Sequence, residues 1–191
     1  QPISLKWGPN SSKGLLGLDG TQSCINAFAK KTGNGKAEYM MYAAPGLRPW
    51  TRLPAGPHRG WVSVQGRLLV AAGYSLCEID ALGVVTEIAG LPGTGFVQMA
   101  KNAKADPDVL MVASGRLWHW KGGIFTAFDS DFLPTLVGVV FIRGRFVVAC
   151  ADGRLYWTGI NDTTIDALSF ANAEALPDGL VAIRERRNEL W

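Results

Sequence analysis

The sequence predicts an all-β fold, and three observations lead to that prediction. Glycine contributes 23 of the 191 residues, while charged types make up only 18% and hydrophobic types 48%. Glycine adopts the positive φ angles of tight turns, and scarce charge disfavours coiled coils and disordered tails. The third observation is a repeated series of short apolar segments separated by glycine-containing turns. Such a series is typical of strands joined by hairpins.

Composition and charge also argue against several functional classes. A formal net charge of +3 is small for a dedicated nucleic-acid binder. No apolar run approaches the roughly 18 residues that a membrane-spanning helix needs, and the first residues lack the pattern of a secretion signal. Cys24, Cys77 and Cys150 are far apart and odd in number. That usage fits a reducing compartment and argues against a disulfide scaffold.

Residues 1–60 are predicted to form an irregular N-terminal segment. Stretches 24–30 and 38–43 are candidate strands, and the Gly-Asn-Gly sequence at 33–35 favours a hairpin turn between them. The prolines that follow remove ladder donors, so they cannot occupy a central strand. We therefore expect 45–60 to be an extended connector that wraps over another part of the protein.

The remainder, 61–191, repeats an order of three predicted strands. The strands are 61–65, 67–72 and 75–80 in the first segment, 96–100, 108–113 and 116–121 in the second, and 137–142, 145–150 and 154–158 in the third. Weaker fourth strands are predicted at 84–88 and 124–128. A fourth segment begins at Leu180.

The period of this pattern predicts β-propeller-type blades. The second strands begin at residues 67, 108, 145 and 188, so the repeat is close to 40 residues. A four-stranded sheet with two apolar faces must stack on neighbours to bury them. Predicted blades lie near 61–95, 96–136 and 137–179, and 180–191 starts another. A β-sandwich with similarly spaced hairpins is the alternative.

The blade count changes the meaning of the chain length. About three and a half blades fit into 61–191, whereas closed propellers have roughly four to eight. We therefore expect an incomplete propeller, either a piece of a longer protein or an open fragment.

The search for chemistry predicts no catalytic, cofactor-binding or metal site. His58 and His119 lack metal-ligand spacing, and His119 alternates with tryptophans as a strand residue would. The Gly-Thr-Gly sequence at 93–95 lacks the third glycine of a dinucleotide loop, and the Gly-Asn-Gly-Lys at 33–36 lacks the upstream glycine of a phosphate loop. No nucleophile elbow is present.

Two sets of charged residues allow either a structural or a functional interpretation. Carboxylates at Asp129, Asp131 and Asp152 could supply calcium oxygens, but the pattern favours solvated turns. The Asp-Pro-Asp at 106–108 is predicted to cap backbone groups in a turn. A basic cluster could meet an acidic partner or phosphates, although a solvated strand edge is favoured. Its members are Arg184, Arg186 and Arg187.

Four stretches resemble a known family. They are Pro45-Gly46-Leu47, Arg59-Gly60, the blade pattern over 68–79, and the long stretch 162–181. In order and spacing they are similar to the packaged-DNA stabilisation proteins of short-tailed bacteriophages, also called tail accessory or head-completion factors. The last stretch resembles a linker between blades, in which an Ala-Glu is followed by Pro-Asp before a new strand.

The resemblance implies a structural role without catalysis or cofactor. Members of that family fold as a β-propeller with an additional domain and assemble as a ring, sixfold in the studied tails, below the portal and its adaptor. They close the channel against loss of DNA and present a surface to tail proteins. Implied partners are portal or adaptor subunits, tail proteins and further copies, with no membrane and at most indirect contact with nucleic acid. The implied location is the virion, after assembly in the bacterial cytoplasm.

Two other functional classes remain open at this point. One is a host propeller that binds carbohydrate or peptide, with Trp118, Trp120 and Tyr156 lining a site. The other is a propeller hydrolase with carboxylates on its loops. Neither has a motif in the sequence that favours it over the phage interpretation.

Overall fold

The computed structural model describes residues 27–31, 39–54, 56–128, 131–172 and 179–191. The chain divides into two compact units, Gln1–Pro49 and Trp50–Trp191. In the first unit, strands β1 (Ala27–Lys31) and β2 (Tyr39–Ala43) pair antiparallel. The turn predicted at 33–35 lies outside the described residues. The predicted division of the chain at residue 60 stays a prediction.

The second unit contains three four-stranded antiparallel sheets, each formed by strands consecutive in the chain. Blade 1 consists of β3 (His58–Val64), β4 (Arg67–Ala72), β5 (Ser75–Ile79) and β6 (Val85–Gly90). Blade 2 consists of β7 (Gln98–Lys101), β8 (Val109–Ala113), β9 (Arg116–Lys121) and β10 (Ile124–Ala127). Blade 3 consists of β11 (Leu136–Ile142), β12 (Arg145–Cys150), β13 (Arg154–Thr158) and β14 (Ile165–Asn172). A terminal hairpin follows, formed by β15 (Glu185–Arg186) and β16 (Glu189–Leu190).

The sheets stack as propeller blades, which confirms the predicted fold class. Strand β3 contacts β7, β7 contacts β11, and β11 contacts β15, so the first strand of each blade lies beside the first strand of the next. The faces between successive blades form separate apolar cores. Among the described residues the blades do not close into a ring.

Two cores fill the spaces between the full blades. Between blades 1 and 2 the buried side chains are Val64, Leu69, Ala71, Leu76, Leu91, Val97, Val109, Met111, Ala113 and Trp120. Between blades 2 and 3 they are Ala100, Leu110, Val112, Leu117, Leu136, Val139, Phe146, Val148, Cys150, Tyr156 and Ile165. Neighbouring residues of β8 thus enter opposite cores, as the two-residue period of a strand requires.

Glycine is needed where the first strands approach other backbone. Gly60 lies at a register shift between β3 and β4, and a Cβ there would come within 2.0 Å of the Val97 carbonyl oxygen. Strand β3 begins at His58, three residues before the predicted start, because Arg59 and Gly60 belong to the sheet. The Arg-Gly that the resemblance singles out is therefore the point at which blade 1 meets blade 2.

The predicted linker after residue 162 is in part a strand. Its first half forms β14, the outer strand of blade 3, with Tyr156 opposite Phe170 and Thr158 opposite Ile165. Three more residues separate the pair on β14 than on β13, so β14 bulges. The following stretch, 173–178, lies outside the described residues.

The proline-rich segment lies along blade 1 from Thr51 onward. The Thr51 hydroxyl donates to the Gly83 carbonyl at 2.6 Å, and the Gly73 amide donates to the Pro57 carbonyl at 2.9 Å. Gly83 follows β5 and Gly73 precedes it. The segment is thus attached at both ends of the blade without joining its ladder.

Candidate interaction surface

A buried arginine joins the start of blade 1 to the link into blade 2. Arg59 is 3% exposed and donates four hydrogen bonds to backbone carbonyls. The acceptors are Gly95 at 2.8 Å, Gly73 at 2.9 Å, Leu91 at 3.2 Å and Pro92 at 2.8 Å. Since guanidinium offers five donors in a fixed plane, one side chain holds the whole turn between β6 and β7.

The environment of Arg59 is unusual because all four acceptors of this buried cation are neutral backbone carbonyls. Burial lowers the pKa of Arg59 from its ordinary value. An arginine nevertheless stays charged in proteins, so the carbonyl oxygens stabilise a buried cation. Removing the side chain would leave several carbonyls without a donor, which costs more than the bonds themselves contribute. Arg59 is therefore a structural clamp, which we call the arginine clamp.

A second polar cluster lies at the opposite end of blade 2 and surrounds Asp108. Its side chain is 5% exposed and accepts from Asn102 at 2.8 Å, from Lys104 at 3.2 Å and from Lys121 at 3.3 Å. The His119 Nε2 atom lies 3.1 Å from the other side of the carboxylate. Burial raises the pKa of Asp108, but the four side-chain hydrogen bonds outweigh it and lower that pKa to about 2.

The Asp108 cluster also connects two blades. Asn102 and Asp108 bond to each other through backbone and side chain, which closes the loop between β7 and β8. Asn102 Nδ2 and the Ala103 amide each approach Asn161, in the loop of blade 3, at 3.4 Å. A carboxylate held ionised by this many donors is a poor general acid or base near neutral pH. We therefore interpret the cluster as a clamp between blades 2 and 3.

Sequence reasoning found the turn but missed the buried carboxylate. The turn is present, but its backbone cap is the Asn102 side chain, whose Oδ1 accepts from the Asp108 amide at 2.9 Å. The Asp108 carboxylate instead gathers side chains, including His119 and Lys121 from β9. Those two residues are separated by one position, so they share one face of the strand. The sequence therefore indicates that His119 and Lys121 lie side by side. It does not indicate that Asp108 is their partner, because that depends on the register between β8 and β9.

A third link lies where the first strands of three blades meet. Gln98 on β7 is buried, and its Nε2 donates to the Ile183 carbonyl at 2.9 Å. A Cβ on Gly138 would come within 2.5 Å of the Gln98 Oε1 atom. The missing side chain on β11 thus leaves room for a hydrogen bond from blade 2 to the segment before the terminal hairpin.

Three residues that the sequence analysis considered as candidate ligands are exposed and belong to different elements. His58 is exposed at the start of β3, Asp131 is exposed, and Asp152 pairs with Arg154 at 2.6 Å. Asp129 lies outside the described residues. In the described part of the chain, no three His, Cys, Asp or Glu side chains are grouped as a metal site would need. The absence of functional sites stays a prediction.

The cysteines of the propeller unit are interior side chains. Cys77 and Cys150 are free and fully buried. Burial raises the pKa of both thiols, that of Cys150 to about 11. A thiol with a raised pKa is a weak nucleophile, so these two are packing residues. Cys24 lies outside the described residues.

The aromatic residues of the ligand-binding alternative do not line one open site. Trp120 and Tyr156 are 5% and 2% exposed and belong to different cores. Trp118 is half-buried and stacks on Phe125 with ring centroids 5.1 Å apart. An open cleft of about 510 Å³ lies between β9, β10 and residues 131–136, and Trp118 alone of the three lines it.

The basic cluster lies on and beside the terminal hairpin, and its three arginines are exposed. The Arg184 guanidinium lies over the Phe96 ring, 5.3 Å from its centroid. Arg186 belongs to β15, and Arg187 occupies the hairpin turn.

Across the described ranges, no helix is long and apolar enough to cross a membrane.

Comparisons with known proteins give one family. A family model described as "Bacteriophage P22 Gp10, beta-propeller" matches residues 20–191. No curated protein matches the chain.

Solved structures resemble the chain in fold at low identity. The computationally designed Ika4 protein superposes with a TM-score of 0.51 at 15% identity, covering 76% of this chain and 91% of its own. The designed Ika8 protein gives 0.51 at 15% identity, covering 88% and 52%. The BBS1N chain in complex with ARL6DN gives 0.50 at 13% identity, covering 86% and 56%. The chain thus spans about half the length of the last two, and these likenesses concern the fold alone.

Proposed function

This chain belongs to the phage-stabilisation family of the bacteriophage P22 Gp10 β-propeller, and from that membership we propose that it closes the DNA channel at the portal–tail junction of a virion. In this role it keeps packaged DNA in the head and supports tail assembly. The supporting observation is the family match over residues 20–191, together with blades that follow the family's fold.

The clamps between blades suit such a mechanical role. A plug against pressurised DNA must resist deformation, and stacked blades resist it only if neighbouring blades cannot slide. The arginine clamp fixes blade 1 to the link into blade 2, and the Asp108 cluster fixes blade 2 to blade 3. Buried polar networks of this kind are rigid because every partner is needed to satisfy the others.

We also propose that the protein is not an enzyme. Among the described residues, the two buried charged side chains have internal partners: Asp108 has four side chains, and Arg59 has backbone carbonyls. The proposed partners are the portal or its adaptor, tail proteins and further copies in a ring, and the proposed location is the virion after assembly in the bacterial cytoplasm. The two alternative classes have no observation in their favour.

Electron microscopy of portal rings tests this proposal. Purified portal rings, alone and with their adaptor, are mixed with the chain, and class averages are compared. We expect added density on the tail-facing side of the ring. A comparison chain carries Gly60→Ala, which strains the interface of blades 1 and 2, and we expect it to add less density than the native chain. Portal rings that show no added density with the native chain would contradict the proposal.

A further inference from the structure

The outer face of blade 1, which points away from blade 2, is apolar and buried along its middle strands. Leu69 and Leu76 enter the core shared with blade 2, so their neighbours along β4 and β5 point to the opposite face. On that face Val70 and Cys77 lie opposite each other in the ladder and are 4% and 0% exposed. Ile79 shares this face and is buried as well. A part of the molecule other than blade 2 must therefore cover the outer face.

The buried part of this face is a narrow stripe along β4 and β5. Trp61 and Ser63 on β3 share the outer face with Val70, yet both are exposed, Trp61 to 60%. Glu87 on β6 lies opposite Cys77 and is exposed too. A stacked blade would also contact β3, as blade 2 does on the other side. A stripe two strands wide instead matches one extended chain with its side chains.

The proline-rich segment has the position and the length to be this cover. Its described residues are 50–54, 56 and 57. The Thr51 hydroxyl donates to the Gly83 carbonyl beyond the end of β5, and the Gly73 amide, ahead of β5, donates to the Pro57 carbonyl. A chain from residue 51 to 57 spans at most about 20 Å, and the five residues of β5 span about 17 Å. The segment therefore passes once along the stripe in an extended conformation.

The side chains of the segment alternate in exposure, as those of a covering chain would. Thr51 and Leu53 are partly buried, whereas Arg52 between them is exposed. Pro54 is partly buried as well. Proline has no amide hydrogen, so Pro54 and Pro57 cannot donate to a ladder. This pattern fits a chain that lies across the sheet face with Leu53 towards the sheet, and not a fifth strand at its edge.

We propose that the proline-rich segment is a latch, which covers the outer face of blade 1 and opens without unfolding of the blades. The hydrogen bonds that its described residues make to blade 1 lie at its two ends. A segment held by few bonds and little buried surface opens more easily than the sheet beneath it. A neighbouring blade would need the same face, since stacked blades bury their middle strands against each other. The latch must therefore open before any further blade can stack on blade 1.

Thiol labelling of the full chain tests the latch, because Cys77 belongs to the stripe that the latch covers. The parent protein carries Cys24→Ser, which leaves Cys77 and Cys150 as its cysteines. Both are buried, but Cys150 lies in the core between blades 2 and 3, so its labelling reports unfolding of the blades. N-ethylmaleimide is added under native conditions, and mass spectrometry follows the modification of each cysteine with time.

Leu53→Ser weakens the latch in this parent protein. Arg52→Ser is the matched control, because it places the same residue at the exposed neighbouring position. We expect Leu53→Ser to raise the labelling rate of Cys77 about tenfold, since an apolar side chain that keeps the latch closed is lost. The labelling rate of Cys150 should stay within about twofold of the parent value. Both rates should stay within about twofold in the control.

A second variant keeps the test decisive if Leu53→Ser unfolds the chain, which fast labelling of Cys150 would reveal. Thr51→Val removes the hydroxyl that attaches one end of the latch, and we expect it to raise the labelling rate of Cys77 about threefold. Equal Cys77 rates in the parent and in both latch variants would overturn the proposal. A parallel rise of Cys77 and Cys150 in Thr51→Val would overturn it as well, because Cys77 would then be exposed by unfolding of the blades.

Discussion

The interface between blades 1 and 2 differs sharply from the interface between blade 3 and the terminal hairpin. The first encloses ten buried side chains and the arginine clamp. The second buries Val140, Val147, Ala149 and Ile183, and leaves Leu155 and Trp157 partly exposed. Four strands cover a blade completely, whereas two short strands cover it in part. A blade is thus a stable unit only with a full neighbour on the face concerned.

Breaking the arginine clamp should have the largest effect on this difference. Arg59→Met removes the side-chain donor of the Gly73, Leu91 and Gly95 carbonyls, while the Pro92 carbonyl keeps the Ser114 hydroxyl. We expect a loss of about 4 kcal/mol in the free energy of unfolding. Urea denaturation measures it. Arg116→Met, at an exposed position, serves as control and should change stability by less than about 0.5 kcal/mol. Equal losses for the two variants would show that the clamp has no special weight.

The second-largest loss of stability is expected from adding a Cβ atom at Gly60, where blades 1 and 2 meet. Gly60→Ala places a methyl group against the Val97 carbonyl oxygen, a backbone atom that cannot rotate away, so we expect a loss of about 3 kcal/mol. Gly95→Ala is the matched control, since a Cβ there meets no atom within 4 Å. Thermal unfolding of the pair measures the difference. A Gly60→Ala protein that melts with its control would contradict the close approach.

Leucine truncations compare the two interfaces directly. Leu76 is fully buried between blades 1 and 2, whereas Leu155 is partly exposed beside the terminal hairpin. We expect Leu76→Ala to lower the free energy of unfolding by about 3 kcal/mol and Leu155→Ala by about 1 kcal/mol. The second loss is smaller because folding removes less of the Leu155 side chain from contact with water. The comparison fails if the Leu155 variant loses as much stability as the Leu76 variant in urea.

The Asp108 cluster gives the smallest effect, which depends on pH. The pKa of Asp108 is lowered from 3.8 to about 2 in the folded protein. A lowered folded-state pKa stabilises the protein above pH 4, and this contribution, at most about 2 kcal/mol, is lost as the pH falls from 4 to 2. Stability of the native chain and of Asp108→Asn is measured over that range. If both curves fall in parallel, the ionised carboxylate does not stabilise the protein.

The sequence was sufficient for the blades because their signals are local. Alternating apolar residues and glycine turns at a period near 40 located eleven of the twelve blade strands, including β12 (Arg145–Cys150), whose predicted bounds are those observed. Local signals could not give the start of β3, since Arg59 looks like a loop residue until its carbonyl acceptors are known. The bulged strand β14 was missed because it lacks the alternation of its neighbours.

The candidate surfaces were less accessible from the sequence. Asp108 shows the limit, because its partners come from strand β9 and from the loop that holds Asn102 and Lys104. Long-range pairing therefore decides the sites, while local pattern decides the fold.

Retention of DNA by packaged heads tests the proposed function most directly. DNA-filled heads that lack this protein are incubated with the native chain, with Gly95→Ala, with Gly60→Ala or with buffer, and DNA that becomes sensitive to nuclease is measured. We expect the native chain and Gly95→Ala to protect the DNA equally, and Gly60→Ala to protect less. Heads that leak as fast with the native chain as with buffer would contradict it.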